Sequence, residues 1–195
     1  RHVVFGGDVL HVNALADWIR RRGDAQPALT NMYGITETTV HVTHRRIRAS
    51  DASTAQGSMI GVPISDLGMY VMDVAGQLAP SGTTGELYVS GAGVARGYLG
   101  HGGLTASRFV PDPVRSGRLY RTGDAARWHD SLELEFLGRL DGQVKIRGFR
   151  VELAEIEQVL RAMGLRDVAV RLQGEGRRLV AYCVPAAGRS PDARA

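Results

Sequence analysis

Cysteine and aromatic residues are scarce in this chain of 195 residues. The single cysteine, Cys183, has no second thiol with which to form an internal disulfide, so nothing indicates an oxidising compartment. Its apolar surroundings, Leu179–Val184, predict a buried strand in which the thiol is an inert packing group. Aromatic residues make up 6% of the sequence and do not alternate with basic residues, which argues against a stacking surface for single-stranded nucleic acid.

Several motifs of common enzyme and membrane-protein classes are missing as well. No segment is apolar over the length needed to cross a bilayer, and no signal peptide is recognisable. None of the six histidines falls in HExxH, and no serine stands in GxSxG, so neither a zinc protease nor a serine hydrolase is supported. The glycine-rich stretch 85–103 does not contain GxGxxG, so a dinucleotide-binding turn is not predicted.

The charge balance is mildly positive, at +4 from 24 basic and 20 acidic residues. The arginines are scattered, and their densest group, Arg20–Arg22, closes a predicted helix, where cations are favourable against the helix dipole. A nucleic-acid surface is therefore not predicted. Glycine is abundant, at 25 residues, which indicates many tight turns, and 44% hydrophobic residues are enough for a packed core.

The pattern of the first 140 residues predicts a mixed α/β fold with a strand-rich, barrel-like part. A short strand is predicted at Val3–Phe5. Apolar residues at helical spacing from Val12 to Ile19 then predict a helix that ends at Gly23. Further strands are predicted at 28–31, 67–72, 86–90 and 134–137, separated by glycine, proline and aspartate. A short helix is predicted to begin at Thr105 as its N-cap.

The last third predicts a small α+β domain. A strand over 143–147 precedes an amphipathic helix on Glu155–Met163, which Gly164 ends. A hairpin around 173–176 follows. The polar junction Leu140-Asp141-Gly142 is the predicted boundary, giving domains 1–140 and 141–195. Because the chain does not begin with Met and opens on a strand-like run, we expect it to be a piece of a longer protein.

The segment Thr30–Val42, TNMYGITETTVHV, concentrates unusual chemistry. A ring (Tyr33), a hydroxyl (Thr36) and a carboxylate (Glu37) fall within five residues. The Tyr33 ring is able to serve as a platform for a purine, and Thr36 offers a hydroxyl for phosphate. The Glu37 carboxylate is able to supply one of the oxygen ligands of Mg²⁺, which otherwise binds phosphate oxygens and water. The alternative from the residues alone is an ordinary turn followed by a β-branched strand.

Two later segments carry further candidates. In YRTGD, Asp124 is an acceptor suited to two vicinal hydroxyls such as those of ribose, or else an ordinary aspartate in a turn. In FLGRLDGQVKIRGFRVEL, Arg139 offers a planar donor fork, and Asp141-Gly142 has the character of a joint. The alternative there is a basic, solvated strand. The stretch GELYVSGAGVARGYLG, Glu86–Gly100, offers little chemistry and is interpreted as structural.

Taken in order, these segments resemble the motifs of the adenylation domains of nonribosomal peptide synthetases. GGDVL, NMYGITETT, GELYVSGAGVARGYLG, RFVPDP, YRTGD and FLGRLDGQVKIRGFRVELAEIE occur in family order over nearly the whole chain. The resemblance implies ATP-dependent formation of an aminoacyl-adenylate with Mg²⁺, followed by transfer to the phosphopantetheine thiol of a carrier domain. It also implies neighbouring synthetase domains in a cytoplasmic assembly line, with no membrane or nucleic-acid partner.

The resemblance assigns roles residue by residue. Tyr33 would stack on adenine beside Gly7 and Asp8, and Asp124 would bind the ribose with Phe136 and Arg139 nearby. Thr36 would contact phosphate, Glu37 would hold Mg²⁺, and Lys145 would act in the thiolation conformation that follows rotation about the hinge Asp141. The amino acid pocket would be lined by Val4, Gly6, Met32, Val40 and His41. This set implies a small, hydroxylated substrate such as threonine.

Some family features are absent from these 195 residues. The phosphate loop, the aspartate for the substrate amino group and the C-terminal catalytic lysine are missing, and Ile35 replaces the usual proline. The turn at His129–Glu133 lacks the glycine that the resemblance implies, which puts its hairpin in doubt. We therefore expect these residues alone to make no adenylate at a useful rate. The alternatives are an acyl- or aryl-CoA ligase of the same superfamily and a non-catalytic module on which a carrier domain docks.

Overall fold

The computed structural model describes residues 1–53, 57–146, 149–174 and 178–186, without the side chains of Lys145 and Arg150. The chain divides into two compact units, Arg1–Leu140 and Asp141–Ala195. Strands dominate and helices are few, so the predicted mixed α/β class is confirmed. The assignment of the two units to parts of a larger enzyme stays a prediction.

Unit 1 is built around one sheet. Its strands are β1 His2–Phe5, β2 Ala28–Tyr33, β3 Thr43–Arg46, β4 Ser58–Pro63, β5 Leu67–Met72, β6 Gly85–Gly91, β7 Phe109–Pro111, β8 Arg118–Trp128 and β9 Leu134–Arg139. The two helices of its described residues are α1 Ala16–Arg22 and α2 Gly102–Arg108, and short 3-10 turns cover Val12–Leu15, Thr36–Thr38 and Ala49–Ser53. The strand order is β1-β2-β3-β4-β9-β8-β6-β5, with β7 paired to β8.

The parallel pair β1 and β2 determines where the first motifs lie. Their register aligns Val4 with Thr30 and Phe5 with Asn31. Parallel strands end at the same edge of a sheet, and loops at that edge commonly carry ligand sites. The turn after β1 and the turn after β2 therefore open from one edge.

The helix predicted after β1 is present, in two parts. A 3-10 turn, Val12–Leu15, leads into α1, and Gly23 ends the helix at a φ of 72°, where its N–H bonds to the Ile19 carbonyl at 2.7 Å. The left-handed conformation favours glycine at this position. The short helix predicted from Thr105 instead begins at Gly102. The Thr105 hydroxyl is not an N-cap, because it accepts the N–H of Tyr98 at 2.9 Å.

The centre of the core lies on β6 and β8. Leu87, Val89, Leu119 and Tyr120 have no exposed surface, and both strands carry runs of consecutive buried residues. Consecutive burial means that both faces of these strands are covered. The part of β8 that carries Tyr120 and Asp124 is consequently held in a packed layer.

The doubtful hairpin between β8 and β9 does form. Trp128 pairs with Leu134, and the His129 N–H donates to the Glu133 carbonyl at 2.9 Å. Leu132 supplies the left-handed conformation in this turn, at a φ of 61°. A leucine is strained in this region because its Cβ crowds the following carbonyl.

The described residues of unit 2 form two small antiparallel strand pairs and one helix. Its elements are β10 Val144–Ile146, β11 Phe149–Val151, α3 Leu153–Ala162, β12 Leu165–Gln173 and β13 Arg178–Pro185. The helix packs on β12, and Glu157 accepts the N–H of Val170 at 2.8 Å. Within the described residues, no helix has the length and apolarity required to span a membrane.

The prediction for Cys183 is half right. The residue lies on β13, paired with Val168, but its side chain is exposed rather than buried. A two-stranded ribbon with one helix packed on its inner strand does not have enough cover to bury both strands, so an apolar run there does not guarantee burial.

Candidate functional site

Tyr33 and Asp124 are in direct contact. Tyr33 closes β2 and Asp124 lies on β8, and the Tyr33 hydroxyl donates a hydrogen bond to Asp124 Oδ2. Both residues are buried, at 7% and 2% exposure. Burial first, and the neighbouring carboxylate second, hold the pKa of the Tyr33 phenol well above its usual value of 10.0. The phenol is therefore a neutral donor near neutral pH.

Arg139 and Thr122 complete the setting of the Asp124 carboxylate. One Arg139 nitrogen donates to Asp124 Oδ1 at 2.7 Å and to the Thr122 carbonyl at 2.8 Å. The Asp124 N–H donates to the Thr122 hydroxyl at 2.9 Å. A buried carboxylate that is charge-paired and hydrogen-bonded is fixed in orientation. The Phe136 ring lies near the Tyr33 ring, with the two ring centres 6.0 Å apart.

Glu37 sits on the turn that follows Tyr33. The 3-10 turn Thr36–Thr38 buries Glu37 and leaves Thr36 exposed, so the two neighbouring side chains point in different directions. Thr39 and Val40 adopt positive φ values of 62° and 72°. Gly34 makes the turn possible, since a Cβ at this position would lie 1.7 Å from the Val40 carbonyl oxygen.

A tyrosine from a distant segment is bonded to Glu37. The Tyr98 hydroxyl donates to Glu37 Oε1 at 2.6 Å and lies 3.1 Å from the Tyr120 hydroxyl. Burial raises the pKa of Tyr98, and the hydrogen bond to Glu37 raises it further. Glu37 thus presents a buried carboxylate whose orientation is held by a phenol.

Residues 33–37 and 120–124 are connected at two places, once directly and once through Tyr98. Tyr33 contacts Asp124 at one end, and Glu37 is linked through Tyr98 to Tyr120 at the other. Four residues of strand span no more than about 13 Å. The neutral aromatic face, the acceptor on β8 and the carboxylate on the turn are therefore arranged along one short stretch of the molecule.

A second group forms where β1 and β2 end. A Cβ built on Gly6 would lie 3.3 Å from both the His41 ring and the Met32 carbonyl, so these three residues are neighbours. Val4 stands on the same face of β1 as Gly6, two residues earlier. Gly7 takes a φ of 90° in the exposed turn, where Asp8 caps the N–H of Val9 at 2.8 Å.

The three remaining predicted residues, Val40, Asp141 and Lys145, lie outside the two groups described above. Val40 is 61% exposed, and its backbone rather than its side chain packs against Gly34. Asp141 is exposed at the start of unit 2. Lys145 lies on β10, but its side chain falls outside the described residues.

The sequence patterns missed Tyr98, Tyr120 and Thr122 as members of the site. Tyr98 belongs to the stretch interpreted as structural, and its contact with Glu37 joins positions 61 residues apart. One signal was available for the other two, because Tyr120, Thr122 and Asp124 alternate in YRTGD and strand residues at this spacing share a face.

Comparison of the chain with known proteins identifies its family. Residues 1–99 match the family described as AMP-binding enzyme. The chain is 50% identical over 191 residues to a dimodular nonribosomal peptide synthase of Bacillus subtilis, covering 95% of this chain and 8% of that protein. It is 45% identical over 192 residues to syringomycin synthase SyrB1 of Pseudomonas syringae, covering 96% of this chain and 31% of that protein.

Solved structures give the same result. PA1221, an NRPS protein containing adenylation and PCP domains, superimposes with a TM-score of 0.83 at 33% identity over 98% of this chain and 39% of its own. The Vibrio cholerae adenylation domain AlmE, in complex with glycyl-adenosine-5'-phosphate, superimposes with a TM-score of 0.79 at 34% identity. The match covers 94% of this chain and 35% of the AlmE chain. The chain thus spans well under half of each of these four proteins. It belongs to the AMP-binding enzyme family, in which its similarity is to the adenylation domains of nonribosomal peptide synthetases.

Proposed function

We propose that the intact protein activates an amino acid with ATP and passes it to a carrier domain. The observation that carries the proposal is that residues 33–37 and 120–124 are joined directly by the Tyr33–Asp124 bond and indirectly through Tyr98, which brings a ring and two carboxylates within the length of a nucleotide. The similarity to AlmE, which binds glycyl-adenosine-5'-phosphate, supports the same reading. The similarity to PA1221 supports a carrier domain as partner within a synthetase. That this synthetase is cytoplasmic is part of the proposal.

The proposed reaction has two steps. A substrate carboxylate oxygen attacks the α-phosphorus of ATP, the bond from that phosphorus to the bridging oxygen breaks, and pyrophosphate leaves. The phosphopantetheine sulfur, after losing its proton, then attacks the acyl carbon, and AMP leaves with the bonding electrons. No side chain forms a covalent bond, so acceleration rests on positioning and charge stabilisation.

The nucleotide roles follow the chemistry of each side chain. Tyr33 offers its ring to adenine beside Gly7 and Asp8. Asp124 accepts the ribose hydroxyls, because carboxylate oxygens are hydrogen-bond acceptors and the bonds from Tyr33 and Arg139 hold this carboxylate in place. Phe136 packs behind Tyr33.

The buried carboxylate of Glu37 fits Mg²⁺, which prefers hard oxygen ligands and takes few of them from protein. When bound, the ion neutralises charge on the phosphate oxygens. Thr36, exposed on the same turn, is a hydroxyl donor for phosphate. For the second step we assign Asp141 as the hinge and Lys145 as a residue of the thiolation conformation.

The amino acid side chain is assigned to the pocket of Val4, Gly6, Met32, Val40 and His41. The contact between Gly6 and the His41 ring makes the space small and puts one polar nitrogen at its wall. A small hydroxylated side chain such as that of threonine fits both features. A site that hydrogen-bonds a substrate hydroxyl rejects analogues that lack it.

Amino-acid-dependent ATP–pyrophosphate exchange by the intact protein tests the proposal. We expect exchange with threonine to exceed exchange with isosteric valine by at least about tenfold, and His41→Ala to remove that preference. His44→Ala, which changes an exposed histidine on β3, is the matched control. Equal exchange with threonine and valine contradicts the threonine assignment, and acyl-CoA formation without any amino acid activation contradicts the function. These 195 residues alone are expected to show no exchange.

A further inference from the structure

We propose that Tyr98 is a positioning residue that holds the Glu37 carboxylate in the orientation needed for a metal ligand, with Tyr120 supporting Tyr98. The inference rests on the proposed function, because that function assigns Glu37 as a ligand of Mg²⁺. It assigns a role to the glycine-rich stretch Glu86–Gly100, for which the sequence suggested none. The direct observation is the 2.6 Å hydrogen bond from the Tyr98 hydroxyl to Glu37 Oε1.

The phenol reaches Glu37 because its own backbone is fixed. The Tyr98 N–H donates to the Thr105 hydroxyl at 2.9 Å, which ties it to α2. The Tyr98 ring meets Phe109 edge to face, with ring centres 5.5 Å apart. Phe109 in turn packs on Tyr120 at 5.0 Å. An aromatic side chain held at both its backbone and its ring has little freedom to move away from the carboxylate.

The two backbones are also joined directly. The Ala95 N–H donates to the Glu37 carbonyl at 2.8 Å, and the Thr39 hydroxyl donates to the Gly93 carbonyl at 2.8 Å. Gly93 allows this approach, since a Cβ there would lie 3.0 Å from the Thr38 carbonyl. The stretch 93–98 therefore lies against the turn 37–39, and a shift of one segment moves the other.

Fixing the carboxylate matters for a magnesium ligand in particular. Mg²⁺ requires nearly ideal octahedral geometry, so a carboxylate that rotates freely loses more as a ligand than one already oriented. Outer partners that orient metal ligands commonly contribute tenfold or more to metal affinity. A purely structural tie between the two segments would instead affect folding and leave the metal dependence unchanged.

The test measures nucleotide binding by the intact protein as a function of Mg²⁺ concentration, using calorimetry with ATP. For Tyr98→Phe we expect the affinity for ATP without Mg²⁺ to stay within about twofold, and the Mg²⁺ concentration at half-maximal effect to rise about tenfold. Tyr120→Phe should give a smaller rise in the same direction. Tyr88→Phe is the matched control, because it removes a comparable tyrosine–glutamate bond, to Glu86 at 3.2 Å. It should leave the Mg²⁺ dependence unchanged.

Glu37→Gln separates failure of this inference from failure of the proposed function. If Glu37→Gln shifts the Mg²⁺ dependence and Tyr98→Phe does not, Tyr98 is only structural and the inference is overturned. If Glu37→Gln has no effect either, Glu37 is not a metal ligand and that part of the proposed function fails. Non-additive shifts in the Tyr98→Phe and Glu37→Gln double variant support the inference, since coupled residues act through one another.

Discussion

The Tyr33 hydroxyl donates a hydrogen bond to the Asp124 carboxylate across 91 positions of sequence. The bond joins the end of β2 to the middle of β8, two strands that are not neighbours in the sheet. It ties the residue assigned to adenine to the residue assigned to ribose. Because both groups are buried, the bond links the stability of unit 1 to the geometry of its proposed site.

Alkaline pH should weaken the fold through Tyr33. Its pKa lies well above 10.0 in the folded protein, first because of burial and then because of the charge on Asp124. Above pH 10 the unfolded chain releases this proton while the folded chain keeps it, so the free energy of unfolding falls by about 1.4 kcal/mol per pH unit. Below pH 10 the contribution is complete.

Urea unfolding between pH 9 and 11.5 measures this effect. We expect Tyr33→Phe to flatten the decline of the unfolding free energy by roughly the one-proton slope. Identical slopes for the two proteins would show that the Tyr33 phenol titrates alike in the folded and unfolded states.

Loss of Arg139 should be costly. Arg139→Met removes the positive partner of the buried Asp124 and leaves the Thr122 carbonyl without this donor. Breaking a buried ion pair on one side typically destabilises by about 3–5 kcal/mol. The comparison is Arg20→Met, whose partner Asp17 lies in a pair with both side chains about 70% exposed; there we expect less than about 1 kcal/mol. Chemical denaturation measures both, and equal losses would contradict the burial argument.

Gly34 should tolerate no side chain. The Cβ of Gly34→Ala would lie 1.7 Å from the Val40 carbonyl oxygen and 2.8 Å from the His41 Cα, so the turn must move. We expect a loss of about 1–3 kcal/mol, or more if the backbone cannot adjust, together with weaker amino acid binding.

The matched change for Gly34→Ala is Gly103→Ala, in α2, where a Cβ meets nothing within 4 Å. That variant should be stabilised by up to about 1 kcal/mol, because alanine favours helix over glycine. Thermal unfolding compares the two variants. Near-wild-type stability for Gly34→Ala would mean that the turn 34–42 is not packed as described.

Leu132→Gly should stabilise the β8–β9 hairpin. Leu132 is 74% exposed and has a φ of 61°, so glycine relieves strain without removing buried surface. The expected gain is about 1 kcal/mol, reduced by the greater entropy that glycine gives the unfolded chain. Leu99→Gly, at an exposed position without positive φ, should instead be neutral or destabilising. A Leu132→Gly variant less stable than wild type would contradict the assigned backbone conformation.

Local patterns predicted the elements that depend on local interactions. The short apolar runs and the turn residues around β5 and β6 are properties of neighbouring residues, as are the spacing and glycine stop of α1, and the structure contains these elements. The strand around Cys183 was predicted correctly, but its burial was not, because burial depends on which residues cover a strand and the run LVAYCVP does not contain that information. The hairpin at Leu132 was doubted because a missing glycine suggests a missing turn, whereas the paired strands impose the turn on a leucine.

The candidate site could be predicted only in part for the same reason. Motifs identified Tyr33, Glu37, Asp124 and Arg139 as chemically suitable, and the order of the motifs identified the family. The bond from Tyr98 to Glu37 could not be predicted, because it depends on how the stretch 93–98 packs across the turn 37–39. Contacts of this kind are set by the tertiary fold rather than by spacing.

Ribose recognition by Asp124 tests the central claim most directly. Binding of ATP and of 2',3'-dideoxy-ATP to the intact protein is compared by calorimetry for wild type and Asp124→Asn. If residues 33–37 and 120–124 hold one nucleotide, wild type prefers ATP by at least about tenfold and Asp124→Asn loses that preference. Equal binding of the two nucleotides by wild type, or an unchanged preference in Asp124→Asn, would contradict the account.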